Sequence, residues 1–597
     1  MAVFSRTSKH LYLLAVVLLA ACRTTAPPAP DDGALLPRRL VLALDGVDYR
    51  DIQTAQARGL FREFRPAGRM ISTFPSISDI AWHAIFGVQP PDGYQRVFYS
   101  LRHNAVLGDA LSAITPIEYE QRMDAAFDTK FHHLGAYLIS GPVARREIDT
   151  DVQKVLRMRG RPTAYLYNVG PDALQHTRGD LEGYLTHLDV KLTELQTRYR
   201  EQTGRSLEIL VLSDHGHNRA VDASFLPLVE GLRTQGFVAA KSLQAGNDVV
   251  FSVDGVTTGF GVFCDPDSTA RVAEVLASLD GVEIVTRRVA ANRFEVRQGR
   301  QLARIEVHAG GGVVRYAYRI ETGDPLMLDS VMTRMRADGA MSAEGDADAD
   351  VWVRYTAAHR FPAAVVRIVH GHRDATRNPA PILVSIADRY RVGLGAVSVA
   401  NRLRPLGGTH GALSASNALG VILANFQDTP DQLFSSVRIS FGGFDDLREP
   451  HVPDTRLAIT SPALLHADRF AAARWRSMPF PPTDTTPLLL LRLASAQEPL
   501  PTDSLWFEVT VRRRRDNRLI ATTALPAARW SVGADARQFV VPARDVRLTE
   551  LTPGERYTVQ LRADGLRGGP DGQRSRWSRT LVRADLRGAQ DGVPWTF

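Results

Sequence analysis

The alternation of apolar and polar positions changes character along the chain. Between about residues 37 and 445, short wholly apolar runs are separated by longer amphipathic ones. Arg39–Leu44, Thr163–Val169, Leu207–Leu212 and Leu419–Ala424 read as strands buried on both faces. Leu181–Tyr199 carries apolar residues at 181, 184, 185, 188, 192, 195 and 199, the spacing of an amphipathic helix packed on the sheet between the second and third strands. Ser76–Phe86 predicts a further helix, with Ser76 or Ser78 as its N-cap. Strands alternating with helices predict an α/β fold, a mostly parallel sheet sandwiched by helices.

From residue 219 to about 400 the pattern becomes that of an α+β insertion. Asp248–Phe263 reads as paired strands, Asp267–Leu279 as a helix and Val282–Val285 as a strand. Arg293–Arg297, Ala303–Val307 and Val313–Ile320 alternate in strand fashion. Such an insertion is expected to cap a pocket or support the domain that holds it. Ala337–Asp350, rich in Ala, Gly, Asp and Glu, predicts a mobile surface loop. Residues 446–484, with repeated prolines, read as a linker. In residues 485–586, Leu488–Leu493, Leu505–Val511, Arg518–Thr523, Gln538–Val541, Tyr557–Ala563 and Arg579–Val582 predict a C-terminal β-sandwich, with Trp506 and Trp530 as core aromatics. Leu551–Ala563 resembles the penultimate-strand region of fibronectin type III domains. That resemblance implies Tyr557 as the corner tyrosine and a module that binds, spaces or supports, through which any protein or glycan contact would be made.

The first residues read as an address. Arg6 and Lys9 precede an apolar stretch from Leu11 to Ala20, and Leu19-Ala20-Ala21-Cys22 has the form of a bacterial lipoprotein cleavage site. The apolar stretch is too short to span a bilayer as a helix. Residues 1–22 are therefore expected to be a signal peptide ending at a lipidated Cys22, and residues 23–36 a Pro-rich tether. Arg23 rather than Asp follows Cys22, which favours anchoring at the outer membrane, facing the periplasm or the exterior. Cys264 is the one cysteine left for the folded part, so no intrachain disulfide forms there.

Chemistry-bearing residues stand at the ends of the apolar runs. Asp45 follows the first, Asp172 and His176 the second, Asp214 and His215 the third, and His410 precedes the fourth. Loops at the carboxyl ends of neighbouring strands converge, so such ligands can surround divalent cations although they are far apart in the chain. A bound cation also favours the alkoxide of a hydroxyl that is a poor nucleophile by itself. Thr73 is the first candidate for that hydroxyl, with Ser72, Ser76 and Ser78 as alternatives. The helix predicted just after it would turn N–H groups and a positive dipole end toward a phosphate. His83 reads as a packed or surface histidine, and His217 is ambiguous between bystander and support for the ligands.

Leu44-Asp45-Gly46-Val47, Thr73-Phe74-Pro75-Ser76, Pro171-Asp172-Ala173-Leu174-Gln175-His176, Ser213-Asp214-His215-Gly216 and Gly408-Thr409-His410-Gly411 resemble, in this order, the motifs of the nucleotide pyrophosphatase/phosphodiesterase branch of the alkaline phosphatase superfamily. The resemblance covers about Leu40 to Asn425. It implies two divalent metal ions, zinc in that family: one on Asp45, Asp214 and His215, the other on Asp172, His176 and His410. It implies Thr73 as the nucleophile and a phosphothreonine intermediate. The chain departs from the family pattern after Pro75, where Ser76-Ile77 replace Asn-His, and Asn104 does not match the spacing of the family's downstream asparagine.

A net charge of +7, carried far more by Arg than by Lys, suits anionic substrates or an anionic membrane surface. No nucleic-acid recognition is expected. The dense run Arg512–Arg515 lies between Val511 and Asp516 in a hairpin pattern, without the interleaved aromatics of single-strand binders. The chain thus reads as a lipid-anchored, zinc-dependent phosphodiesterase or nucleotide pyrophosphatase acting on a phosphate-ester small molecule. A phosphomonoesterase, phosphonate or sulfate-ester hydrolase would use the same site. A non-catalytic surface binding lipoprotein is the alternative from another class.

Overall fold

The computed structural model describes residues 36–108, 118–121, 123–124, 136–137, 140–159, 163–220, 223–253, 255–310, 313–393, 407–426 and 437–441, and beyond them the strands between 462 and 587. Cys22 and Trp530 lie outside the described residues, as do the side chains of Trp506 and Tyr557. Among the described residues no helix is long and apolar enough to cross a membrane.

Six strands form the central sheet: β1 (Arg39–Leu44), β2 (Gly68–Ile71), β3 (Thr163–Asn168), β4 (Glu208–Leu212), β5 (Leu419–Ala424) and β6 (Val437–Ile439), in the order β6-β2-β5-β4-β1-β3. β1 runs parallel to β3 and β4, and β2 parallel to β6. β5 is antiparallel to both of its neighbours. The four apolar runs are therefore strands of one α/β sheet, with the fourth reversed. Reversal matters for the site, because Ile422 pairs with Leu212 and Leu419 with Ile71. The start of β5 thus lies at the edge where β2 and β4 end.

Alternate residues of the strands face opposite sides, the period of two that a sheet imposes. Leu40, Leu42, Leu44, Ile209 and Val211 pack with α1 (Tyr49–Ala57), α3 (Ser140–Val155) and α5 (Leu181–Thr203). Val41, Ala43, Leu210 and Leu212 pack with Trp82, Ile85 and Phe86 at α2 (Ser78–Ile85) and just beyond it. Helices therefore cover both faces. In α5 the buried Leu185, Leu188, Leu192 and Leu195 follow the predicted period. Each contributes about 1.5–3 kcal/mol over an exposed position. Asp180 caps the helix by accepting from Gly183 N at 2.8 Å, and Gly204 ends it at φ +68°.

A second, antiparallel-rich sheet of nine strands is built from residues 238–386, with the predicted strands at Asp248–Ser252, Gly259–Cys264, Val282–Ala290, Arg293–Gln298, Gln301–Gly310 and Val313–Thr322 and a helix at Thr269–Ser278. Residues 337–350 are not simply a surface loop. Asp346–Asp348 pairs with Arg315–Ala317 as an edge strand. The buried Asp346 accepts from Ser342 Oγ at 2.6 Å, and Asp348 caps the next helix through Val351 N at 2.9 Å. This sheet's segment also holds the loop that brings His410. Thr258 N and Thr257 Oγ1 donate to the His410 carbonyl at 2.9 and 3.0 Å. Cys264 is buried and forms no disulfide among the described residues.

Beyond residue 461 two antiparallel sheets follow. One orders Pro462–Ala463, Ala472–Arg476, Pro487–Ala494, Gln538–Pro542 and Ser531–Val532; the other orders Leu519–Pro526, Leu505–Arg513, Arg556–Gly568 and Arg574–Arg587. Two of these strands, at Pro462–Ala463 and Ala472–Arg476, fall inside the stretch that the sequence reads as a linker.

Candidate metal centre

The chain ends of β1, β2, β3 and β4 and the loop entering β5 meet at one edge of the sheet. Asp45 continues the β1 ladder, its N–H donating to the Asn168 carbonyl at 2.9 Å. The chain then turns at Gly46 (φ +69°), whose N–H donates to Asp214 Oδ1 at 3.1 Å. A Cβ there would lie 2.9 Å from His217 Nε2 and 3.1 Å from Asp172 Oδ1, so glycine is what lets these side chains close in. After β3, α4 (Gly170–His176) puts Asp172 and His176 one turn apart on the same face. The Glu147 carboxylate of α3 fixes the start of α4 by accepting from Gly170 N at 2.9 Å.

Two groups of donors result, Asp45 with Asp214 and His215, and Asp172 with His176, His410 and His217. In the first, His215 Nε2 lies 3.5 Å from Asp45 Oδ1 and 3.3 Å from Asp214 Oδ2. In the second, His176 Nε2 and His410 Nε2 lie 3.5 and 3.6 Å from Asp172 Oδ1. Ligands about 2.0–2.1 Å from a tetrahedral cation are about 3.3–3.4 Å from one another. These separations are edges of such tetrahedra. His217 differs: its Nε2 is 2.6 Å from Asp172 Oδ1, a hydrogen-bond distance.

Each carboxylate that starts a group has its other oxygen committed. Tyr167 OH donates to Asp45 Oδ2, and Tyr137 OH to Asp172 Oδ2. The histidines are oriented in the same way. His215 Nδ1 faces the Gly216 carbonyl at 3.1 Å and His410 Nδ1 the Ser76 carbonyl at 2.9 Å, so those nitrogens carry the protons and Nε2 is left as an electron-pair donor.

Charge supplies the test of whether a cation belongs here. Burial, and then the charges of Asp214 and Asp172, push the Asp45 carboxyl well above its ordinary value. Burial also raises Asp214. Burial alone would raise Asp172 too, but His176, His217 and His410 outweigh it and hold the carboxyl low. Burial pushes His176 and His410 down to about 4, which keeps the imidazoles neutral at neutral pH. Asp214 Oδ2 is buried with no hydrogen-bond partner. Two carboxylates destabilised side by side, Asp45 and Asp214, with neutral imidazoles and an orphaned oxygen, are the complement of a divalent cation. The residues present fit the metal pair.

The structure brings together all six expected ligands, Asp45, Asp172, His176, Asp214, His215 and His410. The Thr73 side chain is fully buried and its hydroxyl donates to the Pro75 carbonyl at 2.8 Å. Neither serine caps α2. The N-cap residue is Ile77, without a side-chain bond, because Ser76 Oγ donates to the Ala412 carbonyl at 2.9 Å and Ser78 Oγ is turned to Asp45 Oδ1 at 3.0 Å. Ser78 Oγ is also 3.0 Å from His215 Nε2. His83 is a buried helix residue whose Nδ1 meets the Asp79 carbonyl, and Asn104 bonds the backbone of Leu243, so both are structural. Sequence reasoning did not find Tyr137 or Tyr167. The alternation of Tyr165 and Tyr167 in β3 was the one signal for the latter.

No family model and no curated protein sequence matches the chain. Among solved structures it is similar to human ectonucleotide pyrophosphatase/phosphodiesterase 5, at 12% identity and a TM-score of 0.38, covering 69% of this chain and 96% of that one. Phosphonoacetate hydrolase from Sinorhizobium meliloti 1021, in complex with phosphonoacetate, gives 12% identity and a TM-score of 0.37 over 69% and 96%. An inactive form of murine ectonucleotide pyrophosphatase/phosphodiesterase 5, in complex with AMP, gives 11% and 0.37 over 69% and 94%.

Proposed function

We propose that the chain is a metal-dependent hydrolase of phosphate esters in the alkaline phosphatase superfamily, and within it a phosphodiesterase or nucleotide pyrophosphatase. The observation that carries this reading is the pair of buried Asp/His triads with tetrahedral-edge spacing. The Asp and His donors suit zinc. Bound cations would favour an alkoxide nucleophile and stabilise charge on the phosphoryl oxygens. The chain's own residues do the rest. Asp45 and Asp172, each fixed by a tyrosine, hold the donor geometry, and the start of α2, which has no side-chain cap, would offer amide groups to an anionic ester. By the family resemblance the attacking hydroxyl would be that of Thr73; the burial of its side chain weighs against it. Leu19-Ala20-Ala21-Cys22 supports a lipid-anchored protein of the bacterial envelope, at the outer membrane.

Turnover by the purified, zinc-loaded chain tests the reading, with a bis-aryl phosphate diester compared with the aryl monoester and the Asp45→Asn, Asp172→Asn double variant as control. Diester hydrolysis that disappears in the double variant is expected. Preference for the monoester would move the assignment to phosphatase. Failure to hydrolyse either ester, with two zinc ions bound per chain, would contradict a phosphoester hydrolase.

A further inference from the structure

We propose that Ser78, not Thr73, is the nucleophile of this site. The inference rests on the metal-dependent reading above and names the hydroxyl that it leaves open.

Four hydroxyls lie on the segment that leaves β2. Ser72, Thr73 and Ser76 are fully buried. Arg367, itself fully buried, fixes this part of the chain: its Nε donates to the Ser72 carbonyl at 2.9 Å and its Nη2 to the Thr73 carbonyl at 2.9 Å and to Ser76 Oγ at 2.8 Å. Ser76 spends its one proton on backbone, and Thr73 does the same. Ser78 is the member of the set that is partly exposed.

Position decides the matter. Ser78 Oγ is 3.0 Å from Asp45 Oδ1 and 3.0 Å from His215 Nε2. His215 Nε2 is in turn 3.5 Å from Asp45 Oδ1 and 3.3 Å from Asp214 Oδ2, so the Ser78 hydroxyl lies against two of the three donors of the first group. The hydroxyl proton there faces the Asp45 carboxylate and an imidazole nitrogen whose own proton is on the far side of the ring. Ser78 is also the first residue of α2, an eight-residue helix with no side-chain cap. The first-turn amides lie beside the oxygen that attacks, where a phosphoryl group would rest.

The reaction balances with water as the only co-reactant. The Ser78 hydroxyl releases its proton to solvent, and Oγ forms a bond to phosphorus as the bond from phosphorus to the leaving oxygen breaks. That oxygen takes a proton from water. A water oxygen then attacks phosphorus, the bond between phosphorus and Ser78 Oγ breaks, and Oγ regains a proton.

The test is acid quenching of the zinc-loaded chain during turnover of an aryl phosphate ester, followed by mass-spectrometric fragmentation that tells the residues of the turn apart. Ser78→Ala, Ser78→Thr and Thr73→Ala are compared with the parent, and each variant's zinc content and melting temperature are measured. The expected result is a phosphoryl group on residue 78 in the parent, in Ser78→Thr and in Thr73→Ala, and none in Ser78→Ala. Ser78→Ala should still bind zinc and melt as the parent does, with turnover reduced at least about 1000-fold. A phosphoryl group on Thr73, or turnover by Ser78→Ala within about tenfold of the parent, would overturn the inference while leaving the hydrolase reading intact. A zinc-loaded parent that hydrolyses no ester would overturn both.

Discussion

The imidazole of His215 lies stacked on that of His410, with ring centroids 3.9 Å apart and planes 16° apart. One ring belongs to each triad, so the two donor groups share a wall of histidine. Two imidazolium ions could not stack in this way without strong repulsion, and the positive ring of either would disfavour the other. Burial and His410 hold His215 far below its ordinary value. Both rings are therefore neutral at neutral pH, the form that binds a cation.

His215→Ala should reduce bound zinc from two ions per chain to one and lower ester turnover at least about 1000-fold. Elemental analysis and initial rates on the same preparation check both parts. Retention of two tightly held ions would show that His215 is not a ligand.

His217 acts on the second triad through Asp172, to which its Nε2 donates at 2.6 Å. Outer partners of metal ligands typically tune affinity, so His217→Ala should weaken the second zinc about 10–100-fold, with turnover recovering as zinc is raised. Calorimetric titration of metal-free protein gives the two constants. Unchanged affinity at both sites would remove His217 from the account, and complete loss of the second ion at any zinc concentration would make it a ligand.

Arg367→Met would remove a buried guanidinium that serves the carbonyls of Ser72, Thr73, Pro362 and Leu413 together with Ser76 Oγ. Those acceptors would stay buried without donors, at a cost on the order of 3–5 kcal/mol of folding stability. Urea unfolding of the variant checks this. A loss below about 1 kcal/mol would mean that the turn repacks without it.

His372 is a buried neutral histidine away from the metal ligands. Its Nδ1 donates to the Ala380 carbonyl at 3.0 Å, leaving Nε2 to accept from Thr286 Oγ1 at 2.8 Å. Burial pushes its pKa from 6.5 to about 3. Between those values the unfolded chain binds the proton and the folded chain does not, so stability is full above pH about 6.5 and falls as pH drops toward 3. His372→Gln should flatten the fall of unfolding free energy between pH about 6.5 and 4 by a few kcal/mol at most. An unchanged slope would place the proton uptake on other groups.

Much of this was legible in the sequence because each ligand follows or precedes a run whose apolar character already marks it as a buried strand. Asp45, Asp172 and Asp214 could be placed at one sheet edge from that fact alone. The direction of β5 could not, since a wholly apolar strand reads the same either way; its reversal is what lets the loop carrying His410 enter at the shared edge. The choice among Ser72, Thr73, Ser76 and Ser78 was hidden as well. It depends on Arg367, which lies 294 residues beyond Thr73 and closes over the turn from another part of the fold. Asp346–Asp348 escaped notice as a strand because its acidic composition argues for a loop, while pairing with Arg315–Ala317 supplies the partners that such residues need.

The most direct measurement is an anomalous-difference map from a crystal of the zinc-soaked full chain, collected on either side of the zinc edge. The account predicts two peaks, one among Asp45, Asp214, His215 and Ser78 Oγ and the other among Asp172, His176 and His410. Absence of a peak at either triad, with zinc bound elsewhere on the chain, would contradict a two-metal centre.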